Sequence, residues 1–407
     1  MTALDIATSH VVWTSPYIDS DSSSLDAPTI LGARLYLGTS DGEFVALSLA
    51  TGDVLWSSTV PAGKISAPTP MGSLILFSDG NEVIALNKTT GSNVWTFTAP
   101  SSLSNGNLSD PAVSGPNVYL VSNWFVFSLS SKGKLVWRTP INNADSYNSW
   151  DADDFSNPLV NNGMVYAWAM AGDTGAELEA VSTSGPPSYN PADPTGCYAA
   201  WCIQGYWATG DLAMEQGTLF ASFDNSLESI NGQTGSVNWS DTGSGAYGLA
   251  VVNGVVFSSG VGAFNTANGV ELLANDPCAT PAAIYGSNVL CGTWSQWGSL
   301  DDLGFGQMPS FTSAASVSFS FSLNQSFTIT TSGSPSPTEP TVLSLKGALP
   351  AGMTFKDGGN GTGVIAGTPR CTGSACSVAK TYQVTLSATQ GIFSAQQDLT
   401  IGVNPAG

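Results

Sequence analysis

Apolar and polar residues alternate along most of the chain in short runs, and Asp-Gly, Thr-Gly and Asn-Gly pairs separate the runs. Alternation with a period of two predicts half-buried β-strands, and the glycine-containing pairs predict the tight turns between them. One stretch, Leu35–Leu47 followed by Thr51–Trp56, returns as Leu74–Leu86 followed by Thr90–Trp95. It returns again as Val118–Leu129 followed by Gly133–Trp137, and as Leu219–Trp239. A degraded copy runs from Val255 to Leu273, with Leu273 in place of the tryptophan. The glycine-to-tryptophan offset is four each time: Gly52 to Trp56, Gly91 to Trp95, Gly133 to Trp137 and Gly235 to Trp239. Trp56 and Trp95 are 39 residues apart, and Trp95 and Trp137 are 42 apart. A period of about 40 residues holding four short strands is that of a propeller blade.

The pattern of an apolar strand, Asp-Gly, Ala-Leu and then Thr-Gly-x-x-x-Trp resembles the pyrroloquinoline quinone (PQQ)-type propeller repeat. The resemblance covers residues ~10–305 and speaks to the repeat rather than to an activity. Units fall near 27–62, 65–101, 108–141, 157–210, 210–243, 248–277 and 278–305. Val11–Thr14 reads as an orphan last strand, so the expectation is seven blades closed by the N-terminal strand. Eight blades is the alternative, because 142–210 is irregular.

Residues 309–407 change to Ser/Thr-rich alternation, with Leu349–Phe355, Gly361–Pro369 and Tyr382–Ala388 as landmarks. This segment resembles the Ig-like domains with an LPAGLTF…GTISGTP…Y-x-V-T-x-x-A pattern that are appended to bacterial surface proteins. The expected class is therefore all-β: a PQQ-like propeller over 1–308 and an Ig-like β-sandwich over 309–407. Charge marks the same division. The chain has 10 Lys+Arg against 30 Asp+Glu, yet 309–407 is nearly balanced and no cation lies between Arg138 and Lys346. Such an acidic chain argues against nucleic-acid partners, and no apolar run is long enough for a transmembrane helix.

The six cysteines fall in close pairs, Cys197/Cys202, Cys278/Cys291 and Cys371/Cys376, which read as local disulfides of an oxidising compartment. The expected location is secreted or cell-surface, although Met1–His10 shows no basic segment leading into an apolar one. The only histidine, His10, leaves no basis for a Ser-His-Asp, Cys-His or zinc centre.

Two stretches carry candidate chemistry. Asn148–Leu159 resembles the W-D-Y-D…P-x-L segment of PQQ-dependent alcohol and sugar dehydrogenases. The resemblance implies Asp151 as a general base beside a calcium-bound quinone, with Asp153 or Asp154 as neighbours. The chain lacks the adjacent cysteine pair and haem motif of those enzymes. Asp151, Asp153 and Asp154 are therefore taken as a candidate calcium site, with PQQ required only under a dehydrogenase alternative. The second stretch, 184–207, concentrates Tyr189, Tyr198, Trp201, Tyr206 and Trp207, rings suited to a sugar or a protein partner. The leading expectation is a non-catalytic binding or assembly module, with protein or glycan partners at the cell surface and self-assembly open. A polysaccharide-degrading propeller enzyme is the remaining alternative.

Overall fold

In the computed structural model, described residues are 1–5, 10–15, 27–39, 42–61, 65–100, 107–122, 124–141, 155–170, 175–186, 197, 199–205, 208–223, 226–243, 248–259, 261–274, 283–285, 288–292, 300–302, 309–332, 341–371, 376–390 and 393–405. Side chains are described for all of these except Met170, Thr209, Ala274, Phe393 and the strand residues within 283–302. The chain divides into two compact units, Met1–Ala246 and Tyr247–Gly407.

The first unit opens with β1 (Thr2–Leu4) and β2 (Val11–Thr14), which pair antiparallel with each other. Five four-stranded antiparallel sheets follow, each a meander of sequential strands. Sheet one is β3 (Thr29–Leu31), β4 (Arg34–Gly38), β5 (Glu43–Ser48) and β6 (Val54–Thr59). Sheet two is β7 (Thr69–Met71), β8 (Leu74–Asp79), β9 (Glu82–Asn87) and β10 (Asn93–Thr98). Sheet three is β11 (Ala112–Ser114), β12 (Asn117–Val121), β13 (Phe125–Ser130) and β14 (Leu135–Pro140). Sheet four is β15 (Leu159–Asn161), β16 (Met164–Met170), β17 (Ala176–Ser182) and β18 (Trp201–Gly205). Sheet five is β19 (Ala208–Glu215), β20 (Thr218–Phe223), β21 (Ser226–Asn231) and β22 (Val237–Thr242).

In each sheet the two middle strands are buried on both faces, and in sheets one, two, three and five the fourth strand is largely exposed. Leu35, Phe44, Ile75, Leu86, Val118 and Leu129 are all inside. That burial explains why these strands are near-continuous apolar runs rather than strict alternations.

The repeated glycine and tryptophan join one sheet to the next. Gly52, Gly91, Gly133 and Gly235 take positive φ, between 70° and 74°. A methyl carbon on Gly91 would stand 2.5 Å from the ring of Trp56, and one on Gly133 would stand 2.4 Å from Trp95. Each tryptophan therefore lies flat on the glycine of the following sheet, where no side chain fits. The indole N–H completes the joint: Trp56 Nε1 donates to Lys88 O at 3.3 Å and Trp95 Nε1 to Ser131 O at 3.1 Å. In every one of these sheets but sheet two, the tryptophan is also met by an aromatic of its own second strand. Tyr36–Trp56, Tyr119–Trp137, Tyr166–Trp201 and Phe220–Trp239 all have ring centres 6.0 Å apart.

Trp13 of β2 follows the same rule. It covers Gly52 of sheet one and donates Nε1 to Leu49 O at 2.9 Å. The N-terminal strand thus behaves as the last strand of a unit preceding sheet one, as the sequence suggested, while its strand partner in the structure is β1.

The second unit holds sheet six, made of β23 (Leu249–Val252), β24 (Val255–Ser258), β25 (Gly262–Asn265) and β26 (Glu271–Ala274). It also holds a three-stranded sheet of β27 (Ala283–Tyr285), β28 (Asn288–Gly292) and β29 (Leu300–Asp302).

The remaining strands are β30 (Ser310–Phe311), β31 (Ser316–Ser320), β32 (Gln325–Ser332), β33 (Val342–Lys346), β34 (Met353–Gly359), β35 (Thr362–Gly367), β36 (Lys380–Gln390) and β37 (Phe393–Asn404). They form two four-stranded sheets, in the orders β30-β32-β35-β34 and β31-β37-β36-β33. The chain enters by pairing β30 antiparallel with β32, then changes sheet and pairs β31 parallel with β37. A single core fills the space between them, including Phe319, Phe321, Ile329, Ile365, Leu386, Leu399 and Ile401. The division of the chain at 246/247 lies before the composition change at 308/309, because sheet six and β27–β29 group with the C-terminal strands.

Candidate functional site

The entrances to the first strands of the sheets carry a short motif, Ser-x-Pro, at 66–68, 109–111 and 156–158. Its serine closes the end of the second strand. Ser66 Oγ accepts from Ser78 N at 2.8 Å, Ser109 Oγ from Val121 N at 2.8 Å and Ser156 Oγ from Trp168 N at 3.0 Å. The middle position then reaches across to the neighbouring sheet. Ala67 N donates to Asp110 Oδ1 at 3.3 Å, and Asp110 N donates to Asn157 Oδ1 at 2.9 Å. The Asn157 amide donates back to Asp110 Oδ2 at 3.2 Å and onward to Asp211 Oδ1 at 3.3 Å. One polar chain thus ties sheets two to five together at the entrances to their first strands. Asn157 belongs to the acidic segment singled out in the sequence, but its partners Asp110 and Asp211 are far away in the chain.

A second cluster lies in sheet four. Glu177 and Glu179 are two apart on β17, hence on one face, and both are buried. Counted back from the residue paired with each tryptophan, Glu179 takes the place held by Val45, Ile84 and Phe127 in sheets one to three and by the half-buried Glu228 in sheet five. Glu179 Oε1 is buried without a hydrogen-bond partner, and Oε2 lies 4.0 Å from Cys202 Sγ. Cys202 is its direct cross-strand neighbour and is disulfide-bonded to Cys197. A carboxylate oxygen of Glu177 and both sulfurs lie within 4.8 Å of one another, and Glu177 also bonds the Gln204 side chain. Burial pushes the Glu177 carboxyl up to about 7, opposed by Gln204. Burial raises Glu179 well above the usual range, and the adjacent Glu177 adds to the rise.

The sequence candidates are placed as follows. Trp201 is the tryptophan of sheet four. It is buried, covers Gly235 and donates Nε1 to Gly232 O at 3.0 Å, so its ring is committed to packing. Cys197–Cys202 and Cys371–Cys376 are disulfides. Cys278 lies outside the described residues, and so does the Cys291 side chain. Asp151, Asp153, Asp154, Tyr189, Tyr198, Tyr206 and Trp207 likewise lie outside them. The pair Glu177 and Glu179 was not foreseen. Its signal in the sequence is two acids inside an apolar strand, Ala176–Ser182.

Residues 1–241 match the family described as outer membrane protein assembly factor BamB. The chain belongs to that family. No curated protein matches this BamB-family chain closely enough to count as a relative. Among solved structures it is similar to BamB from Moraxella catarrhalis, at 17% identity and a TM-score of 0.51, over 64% of this chain and 79% of that one. It is also similar to the computationally designed Ika8 protein, at 13% identity and 0.51, over 88% and 99% of the two chains. A third likeness is to the quinohemoprotein alcohol dehydrogenase of Comamonas testosteroni, at 13% identity and 0.50, over 72% and 67%. At these identities the likenesses establish a shared fold, and with the family match they identify the repeated sheets as PQQ-type propeller repeats.

For a bound quinone and calcium ion only the chemistry of the described residues can be compared, because Asp151, Asp153 and Asp154 lie outside them. PQQ carries three carboxylates, and sheets four to six contain no lysine or arginine to meet them. Among the described cations, Arg34 and Lys88 bond backbone carbonyls, at Lys88 and Thr89 and at Gly72 respectively, Arg138 lies over the Phe125 ring, and Lys132 and Lys134 are exposed on sheet three. Between Asp110 and Asp211 stands the N–H side of the Asn157 amide, which offers donors where calcium needs oxygen atoms.

Proposed function

We propose that this BamB-family chain is a non-catalytic binding and assembly module of the periplasm or cell surface, with a protein partner docking on its outer strands. The observation that carries the reading is an apolar rim. Within two residues before their tryptophans, the fourth strands of sheets one, two, three and five expose Val54 and Leu55, Val94, Leu135 and Val136, and Val237. Four last strands thus present apolar side chains along the edges of their sheets, the surface a β-rich partner recognises. The family's description, an outer membrane protein assembly factor, agrees with a protein partner. The two disulfides fit an oxidising compartment. No helix among the described residues is long and apolar enough to cross a membrane.

Residues 1–308 are proposed as one seven-bladed array and 309–407 as an Ig-like spacer. The change of sheet between β30 and β31 and the parallel β31–β37 pair support the latter.

Photo-crosslinking residues placed at Leu55, Val94 and Val136 in intact cells test the docking face. The expected result is one discrete envelope-protein adduct shared by the three positions and missing from Lys132. Absence of a shared adduct overturns the docking face. Saturable thermal stabilisation by PQQ that requires calcium and is lost in Asp151→Ala overturns the non-catalytic reading.

A further inference from the structure

The buried acids and the disulfide of sheet four form a unit that the binding reading does not use. We propose that Cys197–Cys202 is an exchangeable disulfide, reduced by a dithiol substrate, with Glu179 as the buried acid that protonates the departing Cys202 sulfur. A buried carboxyl without a partner costs stability; sheets one to three hold a plain apolar residue at this position, and the glutamate there in sheet five, Glu228, is only half-buried. Among the described residues its carboxyl meets Cys202 Sγ, with the Glu177 carboxyl close by. A disulfide sulfur carries no proton, so only a protonated Glu179 has a hydrogen to offer in that contact.

The surroundings supply a route for replacing the proton. Glu177 lies beside both sulfurs, and its partner Gln204 is exposed to water. From β16 the cluster is met by Ala167 and Ala169, which do not titrate. From sheet three it is met by Val121, Val126, Trp137, Ile141 and Tyr119, whose hydroxyl is turned to Thr183 O. Glu177 and Glu179 are therefore the acids of this cluster among the described residues.

The reaction balances without another reagent. One thiolate of the substrate attacks Cys197 Sγ, forming a mixed disulfide and breaking the Cys197–Cys202 bond. The electron pair goes to Cys202, which takes the Glu179 proton. The second substrate thiolate attacks the substrate sulfur of the mixed disulfide and closes the substrate's own disulfide. Cys197 leaves as a thiolate and takes a proton from water, and Glu179 recovers its proton through Glu177 and Gln204. The substrate loses two electrons, and the two cysteines end as thiols.

Cys371–Cys376 has the same five-residue spacing and packs on the apolar core of the C-terminal sheets, so it serves as an internal reference. The oxidised protein is treated with dithiothreitol, quenched at intervals with a maleimide and mapped by peptide mass. Cys197–Cys202 is expected to open about tenfold faster than Cys371–Cys376, and Glu179→Gln to slow it about tenfold while the reference is unchanged. Equal opening in the two proteins overturns the proposal. A measurement without a variant gives the same decision. The rate per dithiothreitol thiolate should fall as pH rises and Glu179 loses its proton. A pH-independent rate overturns the proposal.

Discussion

Gly91 shows how one residue holds two sheets together. Its φ of 74° and the Trp56 ring lying on it leave alanine neither the backbone conformation nor the space. Left-handed strain and the displaced ring together predict a loss of about 2–5 kcal/mol for Gly91→Ala, measurable by urea unfolding. Gly72, also at positive φ but with open space around it, should lose only the backbone part of that cost on the same substitution. The offset of four between glycine and tryptophan was legible because it repeats within each unit. The resting place of each ring was not, because ring and glycine belong to different units. Trp201 shows the limit. Its unit's glycine is Gly185, where an added methyl carbon would stand 3.4 Å from Trp137, and an insertion pushes the offset from four to sixteen. Out of register with the motif, Trp201 read as one of a group of surface aromatics.

At the scale of one strand, β17 departs most from its counterparts. Acids are expected to face water, so two acids within an apolar run read as a loop or an exposed edge until the register shows them inside. Their raised carboxyls make folding depend on pH. An unfolded glutamate titrates near 4.5, and the folded Glu177 near 7. Between those values the folded chain holds the extra proton. The stabilisation is complete below about 4.5 and is lost as pH rises through about 7. On that shift alone the change is on the order of 3 kcal/mol. Thermal melts of the unmodified protein should therefore fall in midpoint from about pH 5 to about pH 8. Glu177→Gln should flatten the profile and raise the midpoint at the alkaline end. An unchanged slope in the variant would place the pH dependence elsewhere. The Ser-x-Pro entrances are a second feature of this scale that escaped the sequence reading. Their serines close strand ends and their middle residues cap the next sheet, functions that three residues of mixed type do not announce.

For the whole molecule, composition and contact divide the chain at different places, and each division makes a different fragment self-sufficient. The core that includes Phe319, Ile365 and Leu399 draws its buried residues from 309–407 alone. A fragment of residues 309–407 is therefore expected to unfold cooperatively, with a denaturant midpoint close to that of the same segment in the full chain. A fragment that melts without a cooperative transition would favour the division at 246/247 as the true boundary.

The joints between sheets also have a direction in time. Trp13 covers Gly52, Trp56 covers Gly91, Trp95 covers Gly133 and Trp201 covers Gly235, so each ring comes 34 to 39 residues before its glycine. During synthesis every ring is already outside the ribosome when its glycine emerges. A nascent sheet can then settle on its predecessor as soon as its last turn is made, with no need to wait for the distant end of the chain. All-β proteins are usually slow to fold because their pairings are long-range. In this chain the largest rings meet partners about one repeat away, and the order of assembly is the order of translation.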